Sequence, residues 1–188
     1  MNNNKIIIFT GPSGVGKATL EKLLFDNEDL KLEFSISATT RKPRKTEKNG
    51  QEYYFLTEKE FDQKIDDGDF IEWNEHFSNK YGTLKSEIKR IQDNGNLPFL
   101  EVETFGAENI LNELNKEDVI SIFVEPPSIV ELKRRIIYRE TESIIEIDER
   151  MKKVYEELTK TNIFDLVVVN DYPEKAVAKI KAFILGNI

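Results

Sequence analysis

The stretch Gly11-Pro12-Ser13-Gly14-Val15-Gly16-Lys17-Ala18 is a glycine-rich loop that decides the fold of this chain. Residues 5–9 before it form an apolar, largely β-branched run, which is typical of a strand buried on both faces. Residues 19–25 after it carry leucines at helical spacing. Such a loop turns backbone N–H groups toward an anion, and the following helix adds its positive end. We therefore predict a phosphate-binding loop, and the order strand, loop, helix disfavours a chance glycine-rich turn.

The loop departs from the phosphate-binding pattern G-x-x-x-x-G-K-[ST] only at its last position. Ala18 stands where a hydroxyl normally helps to hold magnesium, and the hydroxyl of Thr19 is one residue further on. The anion cradle itself consists of backbone N–H groups and the Lys17 ammonium, so the change bears on how metal is held. We still expect phosphate binding here.

Composition limits the classes of protein to consider. A chain of 188 residues with 39% hydrophobic content suits one domain with a substantial core. The absence of cysteine excludes disulfides, zinc–thiolate sites and a thiolate nucleophile. Apolar runs are too short to cross a bilayer, and the N-terminus lacks a secretory pattern, so we expect a cytoplasmic protein without membrane contact. The net charge of −8 disfavours nucleic acid as a partner. The sequence does not indicate an oligomeric state.

Strand-like and helical segments alternate along most of the chain after the loop. This order predicts an α/β fold with a mainly parallel sheet covered by helices on both faces. Residues 35–85 contain several short strand-like runs and form a predicted inserted lobe. Ligands of such sheets collect at the carboxyl ends of the strands. We therefore expect the glycine loop, Ser37 and the Glu101-Val102-Glu103 segment at one rim.

Several motifs outside the loop indicate a protein family more specifically than the loop does. They are Ser35-Ile36-Ser37-Ala38-Thr39-Thr40-Arg41-Lys42-Pro43-Arg44, Gly50-Gln51-Glu52-Tyr53-Tyr54-Phe55, Phe70-Ile71-Glu72-Trp73, Tyr81-Gly82-Thr83, Pro126-Pro127-Ser128, Arg139-Glu140-Thr141-Glu142-Ser143, Arg150 and Val169-Asn170-Asp171. Together with the loop, over residues 5–184, they resemble the guanylate kinase family. The resemblance implies a P-loop NTPase-type sheet in a single domain, residues 1–188. It also implies a core of about 1–34, 84–125 and 163–188, a GMP-binding lobe of about 35–83, and a helical lid of about 126–162.

The resemblance assigns the acceptor site to the lobe. Arg41 and Arg44 bracket the stiff Pro43, and two guanidinium groups can grip one phosphate in forked geometry. A carboxylate at Glu72 accepts from N1 and N2 of guanine, whereas adenine presents a lone pair there. Trp73 is expected in the core. The implied GMP-binding set is Ser37, Arg41, Arg44, Tyr53, Glu72, Tyr81, Thr83 and Glu103.

The resemblance also assigns the donor site and the groups around the moving phosphate. Glu101 is the implied acidic group at Mg²⁺, binding it directly or through water. Lys17, Arg41, Arg135, Arg139 and Arg150 are the implied catalytic residues, because phosphoryl transfer needs positioning and charge neutralisation. The ATP-binding set is Gly11, Pro12, Ser13, Gly14, Val15, Gly16, Lys17, Ala18, Thr19 and Asn170.

Two positions depart from the family pattern near this site. Glu103 replaces an aspartate, which keeps the carboxylate and adds one methylene, and Phe105 replaces a glutamine. The implied activity is transfer of the γ-phosphate of ATP to GMP, and to dGMP as a further acceptor, in purine nucleotide metabolism and GMP recycling. Three alternatives stay open: a kinase for another small phosphate acceptor, a peptide-binding scaffold without catalysis, and a sensor that binds nucleotides without turnover. Solvated charge is the plain alternative for the basic residues 41–48 and for Arg135.

Overall fold

The structure is a computed structural model that describes residues 5–76, 78–137 and 144–188. Its strands are β1 (Ile6–Thr10), β2 (Leu32–Phe34), β3 (Ala38–Thr39), β4 (Tyr54–Phe55), β5 (Phe70–His76), β6 (Asn79–Leu84), β7 (Leu97–Glu101), β8 (Val119–Glu125) and β9 (Leu166–Val169). Its helices are α1 (Lys17–Phe25), α2 (Glu58–Asp66), α3 (Lys85–Asp93), α4 (Thr104–Glu113), α5 (Ile129–Ile137), α6 (Ile144–Leu158) and α7 (Pro173–Leu185).

The central sheet has the strand order β2-β7-β1-β8-β9, and all of these pairs are parallel. Strand β1 is buried on both faces of this sheet. Ile7 and Phe9 point into one hydrophobic core, whereas Ile6 and Ile8 point into a second core on the opposite face. This alternation confirms the predicted parallel sheet with helices packed on both faces.

The carboxyl ends of these strands meet at one edge of the sheet. Strand β1 runs directly into the glycine loop, and its residue Phe9 pairs with Glu101 at the end of β7. The backbone N–H of Asn170 donates to the carbonyl of Glu125 at 2.8 Å, which brings the end of β9 to the same edge. The sheet therefore gathers residues that are far apart in sequence around the loop.

A second sheet, with the order β4-β3-β6-β5, forms a separate lobe. The lobe has its own small core of Ala38, Phe61, Phe70 and Leu84. The prediction that Trp73 packs in the core is wrong, since this side chain is 40% exposed. Glu72 faces the cleft, so its neighbour Trp73 points to the opposite face of β5, where its ring lies 6.4 Å from that of the buried Phe61 but stays partly exposed.

Helices α5 and α6 pack against each other and against the central core. Leu132 and Ile136 of α5, with Met151 and Val154 of α6, are buried in the same hydrophobic cluster as Phe9 of β1. Burial of these side chains fixes both helices beside the glycine loop. Within the described residues, helices are all too short or too polar to cross a bilayer.

Candidate active site

The glycine loop requires glycine at particular positions. Gly14 and Gly16 have φ values of 83° and 100°, a region that other residues rarely adopt. A Cβ on Gly16 would lie 2.7 Å from Nδ2 of Asn170, and one on Gly11 would lie 2.5 Å from the carbonyl oxygen of Val124. Helix α1 begins at Lys17, and its N-cap Gly16 supplies no side-chain cap. The first N–H groups of α1 are therefore directed at the space in front of the loop.

Lys17 lies folded along this loop. Its Nζ donates to the carbonyl oxygen of Gly11 at 2.8 Å and lies 3.7 Å from Oε1 of Glu101. The carbonyl oxygen of Val15 accepts from Nδ2 of Asn170 at 2.9 Å and from Nη1 of Arg135 at 3.4 Å. The loop is thus held by Asn170, which follows β9, and by Arg135 of α5, and the Lys17 ammonium lies at its mouth near Glu101 of β7.

A cavity of about 330 Å³ lies between the lobe and the end of β7. Thr83 is 1% exposed, and its hydroxyl donates to Oε1 of Glu72 at 2.9 Å. Burial raises the pKa of Glu72, and the nearby charge of Glu103 raises that pKa further, while the Thr83 contacts oppose this. The cavity is lined by Ser37, Tyr53, Glu72, Asn74, Tyr81, Glu101, Val102 and Glu103.

Gly106 in the first turn of α4 makes room for the Glu72 carboxylate. A Cβ at this position would lie 2.9 Å from Oε2 of Glu72. The positive end of α4 is therefore close to this carboxylate, which stabilises its charged form. Glu72 thus has a hydroxyl donor on one side and a helix N-terminus on the other.

Arg41 is held beside this cavity by an acid from its own loop. Its Nη1 and Nη2 donate to the two carboxylate oxygens of Glu47 at 3.0 and 2.9 Å. The hydrogen bonds that Arg41 donates to Glu47 are the main cause that raises the pKa of Arg41, and contacts with Tyr81 contribute. The guanidinium carbon lies 5.4 Å from the Tyr53 ring centre. Arg44 is exposed, and its backbone N–H donates to Glu47 at 2.7 Å.

A second cavity, of about 290 Å³, lies between the glycine loop and α6. It shares Glu101, Val102 and Glu103 with the first cavity, so these residues form a common wall. Its lining residues are Gly11, Ser13, Lys17, Glu101, Val102, Glu103, Arg150, Lys153, Val154 and Glu157. The two hollows therefore meet across the end of β7.

The structure brings together most of the residues predicted for the site. The loop, Lys17, Glu101 and Arg150 surround the second cavity, while Ser37, Tyr53, Glu72, Tyr81 and Glu103 surround the first. Some predicted residues lie differently. Arg135 reaches the loop from behind through Val15, Thr83 is buried behind Glu72, and Arg44 is exposed beside Arg41. Arg139 lies outside the described residues.

The sequence analysis missed several residues in contact with this site, among them Glu47, Gly106, Lys153 and Glu157. Glu47 and Gly106 position predicted residues, and Lys153 and Glu157 line the second cavity. Glu47 carried a weak signal, because it is the acid among the basic residues 41–48. The spacing of Arg150, Lys153 and Glu157 on α6 was also readable, since these positions share one helix face.

Known proteins resemble this chain over nearly its whole length. The family model described as guanylate kinase matches residues 3–186. The guanylate kinase of Mesomycoplasma hyopneumoniae (strain 7448) is 50% identical, over 98% of this chain and 96% of that protein. The guanylate kinase of Bacillus subtilis (strain 168) is 43% identical, over 97% and 88%. A crystal structure of guanylate kinase from Anaplasma phagocytophilum gives a TM-score of 0.73 at 29% identity, covering 97% and 85% of the two chains. The chain therefore belongs to the guanylate kinase family.

Proposed function

We infer that this chain transfers the γ-phosphate of ATP to GMP, forming ADP and GDP. The observation that carries this inference is the wall of Glu101, Val102 and Glu103, which the loop-side cavity and the lobe-side cavity share. A donor held by the glycine loop and an acceptor held by the lobe would meet at this wall. Phosphoryl transfer requires such an in-line meeting in a site where charge is neutralised.

On the donor side, the loop N–H groups and Lys17 bind the phosphates of ATP. Arg150 enters the same cavity from α6, so it can offset charge that develops on the moving phosphoryl group. The family resemblance gives Arg135 of α5 the same role, although it contacts the Val15 carbonyl of the loop in this structure. Arg139 is assigned to the same role by the family resemblance. Oδ1 of the buried Asn170 has no hydrogen-bond partner among the described residues, and it can accept from the adenine amino group.

On the acceptor side, the cluster of Arg41, Tyr53 and Tyr81 binds the phosphate of GMP, and the exposed Arg44 closes over it. Glu47 keeps the Arg41 guanidinium beside the tyrosines until the phosphate arrives. This arrangement supports a forked guanidinium–phosphate contact.

The base of GMP lies at Glu72, whose carboxylate accepts from N1 and N2 of guanine. Ser37 donates to the base, Thr83 holds the Glu72 carboxylate in place, and Glu103 accepts from the exocyclic amino group. This set touches the base and leaves the sugar 2′-hydroxyl unread, so dGMP is a second acceptor.

Mg²⁺ is the metal that this chemistry uses with ATP. The residues at the loop fit it, because a partly exposed carboxylate, Glu101, lies next to Lys17, and Mg²⁺ commonly uses one or two carboxylates together with substrate phosphates. Glu101 would hold the metal directly or through water, since Ala18 offers no hydroxyl. When bound, the metal neutralises charge on the outer phosphates.

The chain divides into three parts in this proposal. A core of about residues 1–34, 84–125 and 163–188 carries the donor loop, a lobe of about 35–83 carries the acceptor, and a lid of about 126–162 carries the arginines. Closure of these parts would exclude water, the competing acceptor. With a net charge of −8, nucleic acid is not a partner.

The test is an ADP-release assay with ATP, Mg²⁺ and one monophosphate at a time: GMP, dGMP, AMP, UMP or ribose 5-phosphate. We expect turnover with GMP, weaker turnover with dGMP, and none above background with the others. Lys17→Ala supplies the inactive control. Preference for another acceptor would contradict the assignment, and tight GMP binding without ADP release would favour a sensor or a scaffold.

A further inference from the structure

Helix α6 directs one lysine at the carboxylate that both cavities share. Nζ of Lys153 donates to Oε2 of Glu103 at 3.0 Å, and both side chains are about half exposed. Glu103 lines the acceptor cavity beside Glu72, whereas Lys153 lines the donor cavity beside Arg150. The ion pair therefore connects the lid helix to the guanine end of the site.

The position of Lys153 is set by the packing of its helix. Met151 and Val154, which flank positions 152 and 153, are buried in the main hydrophobic core. Residues 150, 153, 154 and 157 recur at helical spacing, so one face of α6 looks into the cavity. Because α6 cannot rotate without exposing this core, the helix keeps Lys153 on the face that meets Glu103.

The charges around Glu103 explain why a cation is needed there. Glu72 and Glu103 line one cavity, and the charge of Glu103 bears on Glu72. Glu101 lines both cavities, and Glu157 of α6 lies 9% exposed on the donor side. The described cations that line the donor cavity are Lys17, Arg150 and Lys153, and Lys153 donates a hydrogen bond to Glu103.

Glu103 also has the length that this contact needs. The family resemblance places an aspartate here, and glutamate extends the carboxylate by one methylene toward α6. A longer acid and a lysine on the facing helix thus occur together in this chain. Glu103 has two oxygens, and Lys153 occupies Oε2.

We propose that Lys153 is a positioning residue for guanine recognition, which holds Glu103 and ties the lid helix to the base of the acceptor. The proposal rests on the proposed function, because it assumes that guanine lies beside Glu72 and Glu103. Lys153 offsets the negative charge that Glu103 places near Glu72. It also fixes the carboxylate that accepts from the exocyclic amino group of the base.

The test compares Lys153→Gln with Lys152→Gln, which removes the same charge from an exposed neighbour on α6. We expect Lys153→Gln to raise the KM and the calorimetric Kd for GMP about three- to fivefold, the size expected for a half-exposed ion pair. The KM for ATP should rise by a smaller factor than the KM for GMP, because Lys153 also lines the donor cavity without a hydrogen bond to the loop in this structure's described contacts. Lys153→Arg should restore GMP binding, because it keeps a cationic donor.

A double-mutant cycle separates this role from a general effect on α6. In a Glu103→Gln background, Lys153→Gln should cause no further loss of GMP affinity, since the interaction is already broken. Additive losses, a loss confined to ATP, or equal losses in Lys152→Gln would overturn the proposal. A wild-type chain that neither binds nor phosphorylates GMP would instead overturn the proposed function.

Discussion

The surroundings of Glu72 hold its carboxylate in position to accept hydrogen bonds from a guanine base. It is partly buried, accepts from Thr83 at 2.9 Å and lies against Gly106 at the start of α4. Burial raises its pKa, so it gains a proton at a higher pH than an exposed glutamate. Protonation would replace an acceptor of the guanine N–H groups with a donor. Affinity for GMP should therefore fall as the pH drops through this raised pKa.

We predict that Glu72→Gln raises the KM for GMP by about 10- to 100-fold, because a charge-assisted pair of hydrogen bonds is lost. The KM for ATP should change little, since Glu72 lies in the acceptor cavity. The matched control is Glu75→Gln on the same strand, whose side chain is exposed. Steady-state kinetics with both substrates varied measure the effect. An equal rise in both KM values would contradict the role given to Glu72.

Glu21 is a buried acid one helical turn after Lys17. It is 8% exposed, and burial, with the charge of Glu101, raises its pKa from 4.5 to about 7. Between these two pH values the native state keeps a proton that the unfolded chain has released. The free energy of unfolding therefore falls as the pH rises from 4.5 to about 7.

We predict that Glu21→Gln removes this loss. Without nucleotide or metal, the variant should be more stable than the wild type by about 2–3 kcal/mol near pH 8, and the gain should vanish near pH 4.5. Urea unfolding at several pH values measures it, with the exposed Glu28→Gln as control. A gain that does not change with pH would show that Glu21 does not titrate in this window.

At the scale of elements, the start of α1 depends on a contact between the glycine loop and the end of β9. Gly16 has a φ of 100°, and a Cβ added to it would lie 2.7 Å from Nδ2 of Asn170. Gly68 also has a positive φ, of 69°, but its Cβ would meet no atom within 4 Å. A substitution at Gly68 therefore introduces backbone strain alone, whereas one at Gly16 introduces backbone strain and a steric clash within the loop.

We predict that Gly68→Ala costs about 1 kcal/mol of stability, the strain of a left-handed residue, and leaves ATP binding unchanged. Gly16→Ala should break the bond from Asn170 to Val15 and weaken ATP binding about 100-fold, because the loop N–H groups are displaced. Calorimetric titration with ATP and urea unfolding measure the two effects. Equal effects of both substitutions on ATP affinity would contradict this account of the loop.

The element scale also shows which secondary structure was predictable. The glycine loop, α1 and the buried strands of the central sheet followed from local patterns, and the sheet is confirmed. Strand β6, which carries Tyr81 and Thr83, was not predicted. Its sequence, Asn79-Lys80-Tyr81-Gly82-Thr83-Leu84, has no apolar run, and its conformation depends on pairing with β3 and β5.

At the scale of the whole molecule, GMP binding should couple the lobe to the core. Pairing of the acceptor with residues from both parts stabilises the native state. At about 100 times its Kd, GMP should add about 2.7 kcal/mol to the free energy of unfolding. AMP at the same concentration should add much less, because it has no donors for Glu72. The urea midpoint of unfolding in the presence of each nucleotide measures this stabilisation. In Glu72→Gln, the stabilisation by GMP should exceed that by AMP by a smaller amount. Equal stabilisation by AMP would contradict guanine selection.

The sequence by itself determined the phosphate loop, the parallel sheet and the family. These depend on local order and periodicity, which neighbouring residues carry. Only the tertiary structure decided which side chains meet. Asn170 and Val15, or Lys153 and Glu103, are far apart along the chain, and they come together because strands end at one edge and α6 packs across it. Such contacts depend on the packing of whole elements, so no local pattern contains them.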